Sequence, residues 1–232
     1  MTFTKLIEKF NIPVALTWAA VDLLPSSHPL RIGTFGTHGS RFANFSVQNS
    51  DFILSIGSRL DTKATGGPHS TFERSVWKAV NDISADELNK FDDYGLSIDL
   101  KIHSEAAKLV NSLLACNPRV SCKQWLSTID RWKQSYAICN EYRDTGNFVD
   151  PYLFCSKLSE LIPKTAHIWS DTGSIQAWLM QSFEPRGEQR VWHDFNNTAM
   201  GWALPAAIAA KLALPANESF CMVGDGSLMM NI

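Results

Sequence analysis

The segment of this chain best fitted to do chemistry is Val223-Gly224-Asp225-Gly226-Ser227. It follows the apolar run Phe220-Cys221-Met222-Val223, which reads as a strand covered on both faces in a parallel sheet. Glycines on both sides of Asp225 permit positive φ and a close approach of backbone to a ligand. The Gly226 and Ser227 amides are placed to donate to phosphate oxygens at the start of the next helix, where the dipole favours an anion. Asp225 offers a hard oxygen of the kind Mg2+ takes beside phosphate. An ordinary glycine turn would use the same residues, so these four alone leave both readings open. Two further polar turns follow apolar segments: Asp171-Thr172-Gly173, and Asn196-Asn197-Thr198-Ala199-Met200-Gly201. Three strand ends of this kind would converge on one crevice, because parallel sheets bind ligands at the carboxyl ends of their strands.

The elements that position these turns alternate between strand and helix. Strands are expected at 52–56, 76–80 and 96–100. A helix then follows with Ser104 as N-cap and Ala106, Leu109, Val110, Leu113 and Leu114 at helical spacing. After Asn117-Pro118, a polar stretch from about 121 to 142 with Trp125, Ile129 and Trp132 reads as a linker helix crossing the surface, ended by Thr145-Gly146-Asn147. Asp150-Pro151 is a good helix start. Leu153, Phe154, Leu158, Leu161 and Ile162 form its expected buried stripe, and Pro163 ends it. Then come a strand at 166–169, a helix at 175–183, a strand at 190–192, an alanine-rich helix at 201–214 and the strand at 220–223. The pattern implies right-handed βαβ crossovers and an α/β fold of two Rossmann-like parallel-sheet units. The expected division is a central domain at 1–116, a linker at 117–149 and a C-terminal unit at 150–232.

Composition narrows the function classes. Hydrophobic residues make up 45% and charged residues 19% of the 232 positions, which excludes a disordered tail. Lys and Arg number 21 against 23 acids, a near-neutral balance that argues against a dedicated nucleic-acid surface. No apolar run reaches the ~18–20 residues needed to span a bilayer, and the first residues lack a secretory h-region. Cys116, Cys122, Cys139, Cys155 and Cys221 form no C-x-x-C and read as buried thiols of a reducing, cytoplasmic compartment. No Cys/His pair has zinc-ligand spacing. His193-Asp194 belongs to no recognisable triad, and the role expected for His193 is a strand-end hydrogen bond.

The run Met200-Gly201-Trp202-Ala203-Leu204-Pro205-Ala206-Ala207, preceded by Asp171-Thr172-Gly173 and followed by Gly224-Asp225-Gly226-Ser227, resembles the cofactor domain of thiamine-diphosphate enzymes, the acetolactate synthase group above all. The first unit shares the likeness through Gly33-Thr34-Phe35-Gly36-Thr37-His38-Gly39 and through the segment from Ser50-Asp51 to Arg59-Leu60-Asp61. The resemblance implies roles residue by residue. Asp225 would be a Mg2+ ligand. Gly224, Gly226 and Ser227 would hold the diphosphate, with Thr172, Gly173 and Ser174 lining it from a neighbouring strand. Met200 would wedge beneath the cofactor's two rings. The Thr198 carbonyl would accept from the aminopyrimidine. In members that hold FAD it lies in the central domain, where His38, Arg59 and Asp99 are the candidate contacts.

What the resemblance implies about activity is cleavage or formation of a C–C bond on a 2-oxo acid such as pyruvate, in an oligomer that is at least a dimer. A related 2-oxo acid decarboxylase and a non-catalytic nucleotide-binding module are the alternatives. Three departures stand out. Ser174-Ile175 takes the place of the usual Gln-His of acetolactate synthases. Ser84 replaces the second acid of the stretch Ala79-Val80-Asn81-Asp82-Ile83-Ser84, which weakens an FAD site. The family's second metal-ligand element and the N-terminal domain with its activating glutamate have no counterpart in these residues. The chain is therefore expected to be a fragment of a longer enzyme, inactive by itself.

Overall fold

The computed structural model describes residues 2–72, 76–118, 120–138 and 146–231. The first unit opens with α1 (Thr2–Phe10), β1 (Val14–Leu16), β2 (Arg31–Thr34) and α2 (Arg41–Gln48). It continues with β3 (Phe52–Ile56), the short α3 (Thr62–Thr65), β4 (Trp77–Asp82), α4 (Ala85–Asp93), β5 (Leu100–His103), α5 (Ala106–Ala115) and α6 (Lys123–Ser135). The second unit holds α7 (Pro151–Leu161), β6 (His167–Ser170), α8 (Ser174–Ser182), β7 (Arg190–Trp192), α9 (Ala203–Ala213), β8 (Ser219–Met222) and α10 (Asp225–Leu228). Every pairing is parallel: β1 with β2, then β3-β4-β5, then β7-β6-β8. The expected α/β class with two Rossmann-like units is therefore the observed one.

Burial of apolar faces holds each unit together. In the first, Ile32, Phe35, Phe42, Val80, Leu88 and Phe91 share one core with Ile129 of α6, which is only 1% exposed. Alpha-6 thus seals the first unit with one face instead of crossing open surface, and Trp125 and Trp132 pack beside Ile129. The expected end of that helix near 142, the stop at Thr145 and the thiol of Cys139 lie outside the described residues. In the second unit Ile168, Leu179, Met180, Phe183, Val191 and Met222 form the core, joined by Trp18 and Val21 from the first. The two units therefore share apolar packing.

Several local expectations need correction. The third strand of the central sheet is Leu100–His103, not 96–100. Leu96 is buried, but in the turn after α4, where its amide donates to the Phe91 carbonyl. Burial marked it as apolar without making it a strand. Ser104 does not cap α5; Glu105 holds that position without a side-chain cap, and the Ser104 hydroxyl accepts instead from Asn81 Nδ2. On α7, Phe154 and Leu161 are exposed, while Cys155 and Ser159 face inward. Beta-8 is an edge strand and Cys221 on it is exposed, so it is not covered on both faces. Of the described thiols only Cys155 is buried; Cys116 is exposed and Cys122 half-buried.

Two capping signals explain helix starts that position the site. Asp150 accepts from the Tyr152 and Leu153 amides, with Pro151 in the first turn. Ser84 accepts from the Glu87 amide at the start of α4, and Ser84-x-x-Glu87 is a capping-box sequence. The serine that replaces an acid thus begins a helix.

Candidate cofactor site

The order β7-β6-β8 places three turns side by side at the carboxyl end of one sheet. Beta-6 and β8 are paired as far as Ser170 and Met222, and the Asp171 amide extends the ladder by donating to the Met222 carbonyl at 2.9 Å. Thr172–Ser174 and Gly224–Ser227 therefore leave the sheet as neighbours. The loop 194–201 leaves β7 on the other side of β6.

The turns after β6 and β8 are open where a diphosphate would lie. Gly173 has φ +98 and caps α8, and a Cβ added there would meet nothing within 4 Å. Gly224 and Gly226 also face open space. Alpha-8 runs for nine residues, so its first amides and its dipole present a partial positive charge beside Ser174. Gly173, Ser174, Asp225 and Gly226 are exposed, while Ser227 is buried. The Gly226 amide is donated to the Asp225 carboxylate at 2.8 Å. To hold phosphate through that amide, as the resemblance implies, the carboxylate must swing away. Among the described residues no group of three or more His, Cys, Asp or Glu side chains gathers to hold a metal ion. A Mg2+ ion asks for less, one or two carboxylates with phosphate oxygens completing the shell, and exposed Asp225 fits that demand.

A buried carboxylate that the sequence marked only as part of a motif organises the loop. Asp171 is fully buried. Its Oδ1 accepts from the Thr172 amide at 2.9 Å and from the Gly201 amide at 3.1 Å, and its Oδ2 accepts from the Ala203 amide at 2.9 Å. It thereby fastens the end of β6 to the start of α9. From the far side the Asn231 side chain donates to the Gly201 carbonyl at 2.7 Å. A Cβ on Gly201, which has φ +85, would come within 2.5 Å of that side chain. The loop is pinned directly after Met200, which projects half-exposed. Thr198 has φ +50, and its carbonyl accepts no hydrogen bond from the described residues.

His193 closes the back of the site. Its Nδ1 lies 2.7 Å from the Ser170 carbonyl, the strand-end bond expected for it. The ring packs edge-on against Phe195 and Trp202, and Nε2 is buried without a partner among the described residues. Burial lowers its pKa, outweighing the Ser170 bond and nearby Asp194 and Asp171, so the ring is held neutral. Between the units lies a cleft of about 50 Å³ lined by Trp18, Ser58, Asp61, Lys63, Gln176 and Phe195.

Of the residues expected to touch FAD, Asp99 lies at the opposite end of the central sheet from Arg59. Arg59 stands at the carboxyl end of the central sheet, where it pairs with Glu87 and donates to Asn196. Exposed His38 lies with its ring 5.4 Å from that of Trp18. Asp99 precedes β5, and its carboxylate accepts from the Lys78 amide near the amino end of β4. Beta-4 ends at Asp82, four residues beyond Lys78, so about 13 Å separates that point from the carboxyl end of the strand.

Fold and turns together define an α/β protein built to hold an anionic cofactor at strand ends. Comparison with known proteins is specific. The model of the thiamine pyrophosphate enzyme central domain matches residues 2–113, and that of the thiamine pyrophosphate enzyme C-terminal TPP-binding domain matches residues 171–232. The acetolactate synthase large subunit of Lactococcus lactis subsp. lactis (strain IL1403) is 30% identical over 229 residues, covering 98% of this chain. The acetolactate synthase isozyme 1 large subunit of Escherichia coli (strain K12) is 31% identical over 233 residues, again 98% of the chain. The probable acetolactate synthase large subunit of Methanococcus aeolicus is 28% identical over 244 residues. The chain spans 39% of the length of the first two relatives and 40% of the third. The chain belongs to the thiamine pyrophosphate enzyme family, with an acetolactate synthase-like sequence.

Proposed function

We propose that this chain supplies the central unit and the diphosphate-holding strand ends of a thiamine-diphosphate- and Mg2+-dependent enzyme that makes or breaks a C–C bond on a 2-oxo acid such as pyruvate, in the manner of an acetolactate synthase. The observation that carries the reading is the adjacency of Thr172–Ser174 and Gly224–Ser227 on paired parallel strands, with the Met200 loop fastened next to them by Asp171. When bound, the cofactor supplies a carbanion that adds to a carbonyl and a ring that takes up electrons released on decarboxylation.

The chain's own residues would do the rest. The α8 amides, Gly224, Gly226 and Ser227 orient the diphosphate. Asp225 holds Mg2+ against it. Met200 and the Thr198 carbonyl fix the rings. Neutral His193, Phe195 and Trp202 keep water from the back of the site. Lys63 has its ammonium 5.1 Å from the Trp18 ring centre and makes no ion pair among the described residues. It is the cation at hand for a substrate carboxylate entering the cleft.

The resemblance assigns the activating glutamate to a further domain. Turnover is accordingly proposed for a chain of the relatives' length, with the 232 residues alone inactive. Exposed Ile208 and Leu212 on α9 leave apolar surface that a second copy would cover, in keeping with an oligomer of at least two. No helix among the described residues is long and apolar enough to cross a membrane, and a cytoplasmic setting is part of the proposal. The test is a calorimetric titration of the chain with thiamine diphosphate and Mg2+, followed by product analysis of the whole enzyme on pyruvate. Saturable, Mg2+-dependent binding is expected, with acetolactate as product. Free aldehyde instead would establish the decarboxylase. Absence of binding to a folded chain would leave the non-catalytic module.

A further inference from the structure

We propose that the central unit of this chain does not take FAD, because the strand ends where a dinucleotide would lie are closed by the glycine turn after β2 and by an Arg59 clasp to the second unit. The inference is independent of whether thiamine diphosphate binds to the second unit.

A dinucleotide fold holds pyrophosphate on free backbone amides after its first strand, with glycines clearing space for it. Here five amides of the glycine turn after β2 are already bonded. Phe35 donates to the Leu16 carbonyl, Thr37 to the Lys63 carbonyl, Gly39 to the Gly36 carbonyl and Ser40 to the Thr34 carbonyl, all between 2.8 and 3.1 Å. The Gly36 amide donates to Asn44 Oδ1 at 2.8 Å. The glycines serve the turn itself. A Cβ on Gly36 would sit 2.2 Å from the Lys63 carbonyl oxygen, and one on Gly39 would sit 2.5 Å from the Phe35 Cα. Their small size lets backbone pack on backbone, where a nucleotide fold would use it to admit a ligand.

The groups that would take the ribose and balance the phosphates are also engaged. Asp82 is buried, with Oδ1 accepting from the Ser84 amide at 2.9 Å. Ser84 is spent on the cap of α4. The Arg59 guanidinium pairs with Glu87 at 2.9 Å through Nη2 and donates to Asn196 Oδ1 at 2.8 Å through Nη1. Lys90 completes the knot, donating to Glu87 Oε2 and to the Arg59 carbonyl, each at 2.6 Å. Burial works to raise the Glu87 carboxyl, but the hydrogen bonds from Lys90 and Arg59 and their charges outweigh it and hold it below the usual range. The Arg59 charge is thus neutralised within the protein, and Asn196 turns the same contact into a tie between the two units.

The experiment is a titration of FAD against the 232-residue chain, followed by flavin fluorescence polarisation on material that unfolds cooperatively in circular dichroism. Thiamine diphosphate binding is measured on the same sample. No saturable binding is expected up to about 100 μM FAD, whatever the thiamine diphosphate result. Stoichiometric flavin that ADP displaces would overturn the inference, as would flavin released on denaturing the whole enzyme. Glu87→Gln adds a readout that a nucleotide role for Arg59 would not produce. With the clasp as the partner of Arg59, the variant melts lower without FAD and gains no protection from it. Unchanged melting, with FAD now raising it, would count against the clasp. Failure of thiamine diphosphate to bind would refute the proposed function and leave this inference standing.

Discussion

Removing the Asp171 carboxylate should unfasten the cofactor loop. In Asp171→Ala the amides of Thr172, Gly201 and Ala203 lose their acceptor. Thr172 is partly exposed and can turn to water, but Gly201 and Ala203 are buried. Each orphaned buried donor costs about 1–3 kcal/mol, so the pair costs about 2–6 kcal/mol. Asp171→Asn keeps one oxygen for Thr172 and Gly201 and turns an NH2 group toward the Ala203 amide, one lost bond worth about 1–3 kcal/mol. For a chain of this size, with each kcal/mol worth about 2–4 °C, the midpoints fall by roughly 8–16 °C for Ala at 4 kcal/mol and 4–8 °C for Asn at 2 kcal/mol. Thermal unfolding followed by circular dichroism reads the stability. Quenching of Trp202 fluorescence by thiamine diphosphate reads the site, and both variants should bind more weakly because the Met200 loop is no longer held. If Asp171→Ala and Asp171→Asn both melt within about 1 °C of the parent, the carboxylate is not what anchors the loop and the argument fails.

Met200→Ala should separate binding from folding. The side chain is 49% exposed, so unfolding should move by less than about 0.5 kcal/mol, while thiamine diphosphate affinity by calorimetry drops roughly tenfold through about 1.4 kcal/mol of lost contact; equal affinity would remove Met200 from the site. Gly36→Ala should be far more damaging than its size suggests, since the new Cβ meets the Lys63 carbonyl at 2.2 Å and φ is +109. A loss of about 3 kcal/mol is expected, and an unchanged urea midpoint would contradict the self-packed turn. His193 gives a pH dependence with a definite sign. Burial lowers its pKa from the ordinary 6.5, so below that value the unfolded chain binds a proton the fold does not. Stability should be full above about pH 6.5 and decline as pH falls toward the folded pKa. His193→Gln should flatten the urea midpoint between about pH 7.5 and 5.5, only in part because burial lowers His167 too; an identical slope would show that His193 is not the group.

The α/β class, most helices of the second unit and the three polar turns were legible in the chain because they rest on local signals. Asp150-Pro151 is a start, Pro163 a stop, and a continuous apolar run beside glycine a strand end. Other elements rest on equally local signals. Phe3, Leu6, Ile7 and Phe10 have helical spacing, and three of them are buried in α1. Ser84 was read for the acid it lacks, when its capping position before Glu87 accounts for it.

The remaining features could not be read from sequence order, because each depends on partners far along the chain. Asp171 and Ala203 are 32 residues apart, and Arg59 and Asn196 are 137 apart. Only the crossing of β6 between β7 and β8 and the packing of one unit on the other brings them within a hydrogen bond. Asp99 shows the reverse case. It lies only a few residues from β5's carboxyl end, yet the extended backbone carries it to the opposite end of the sheet. The sequence by itself determined which residues could hold a diphosphate and a metal, since that is a matter of side-chain chemistry and local turn geometry. The tertiary structure decided which of them meet and which are already occupied. A donor or a charge serves a ligand only if the rest of the fold has left it unbonded.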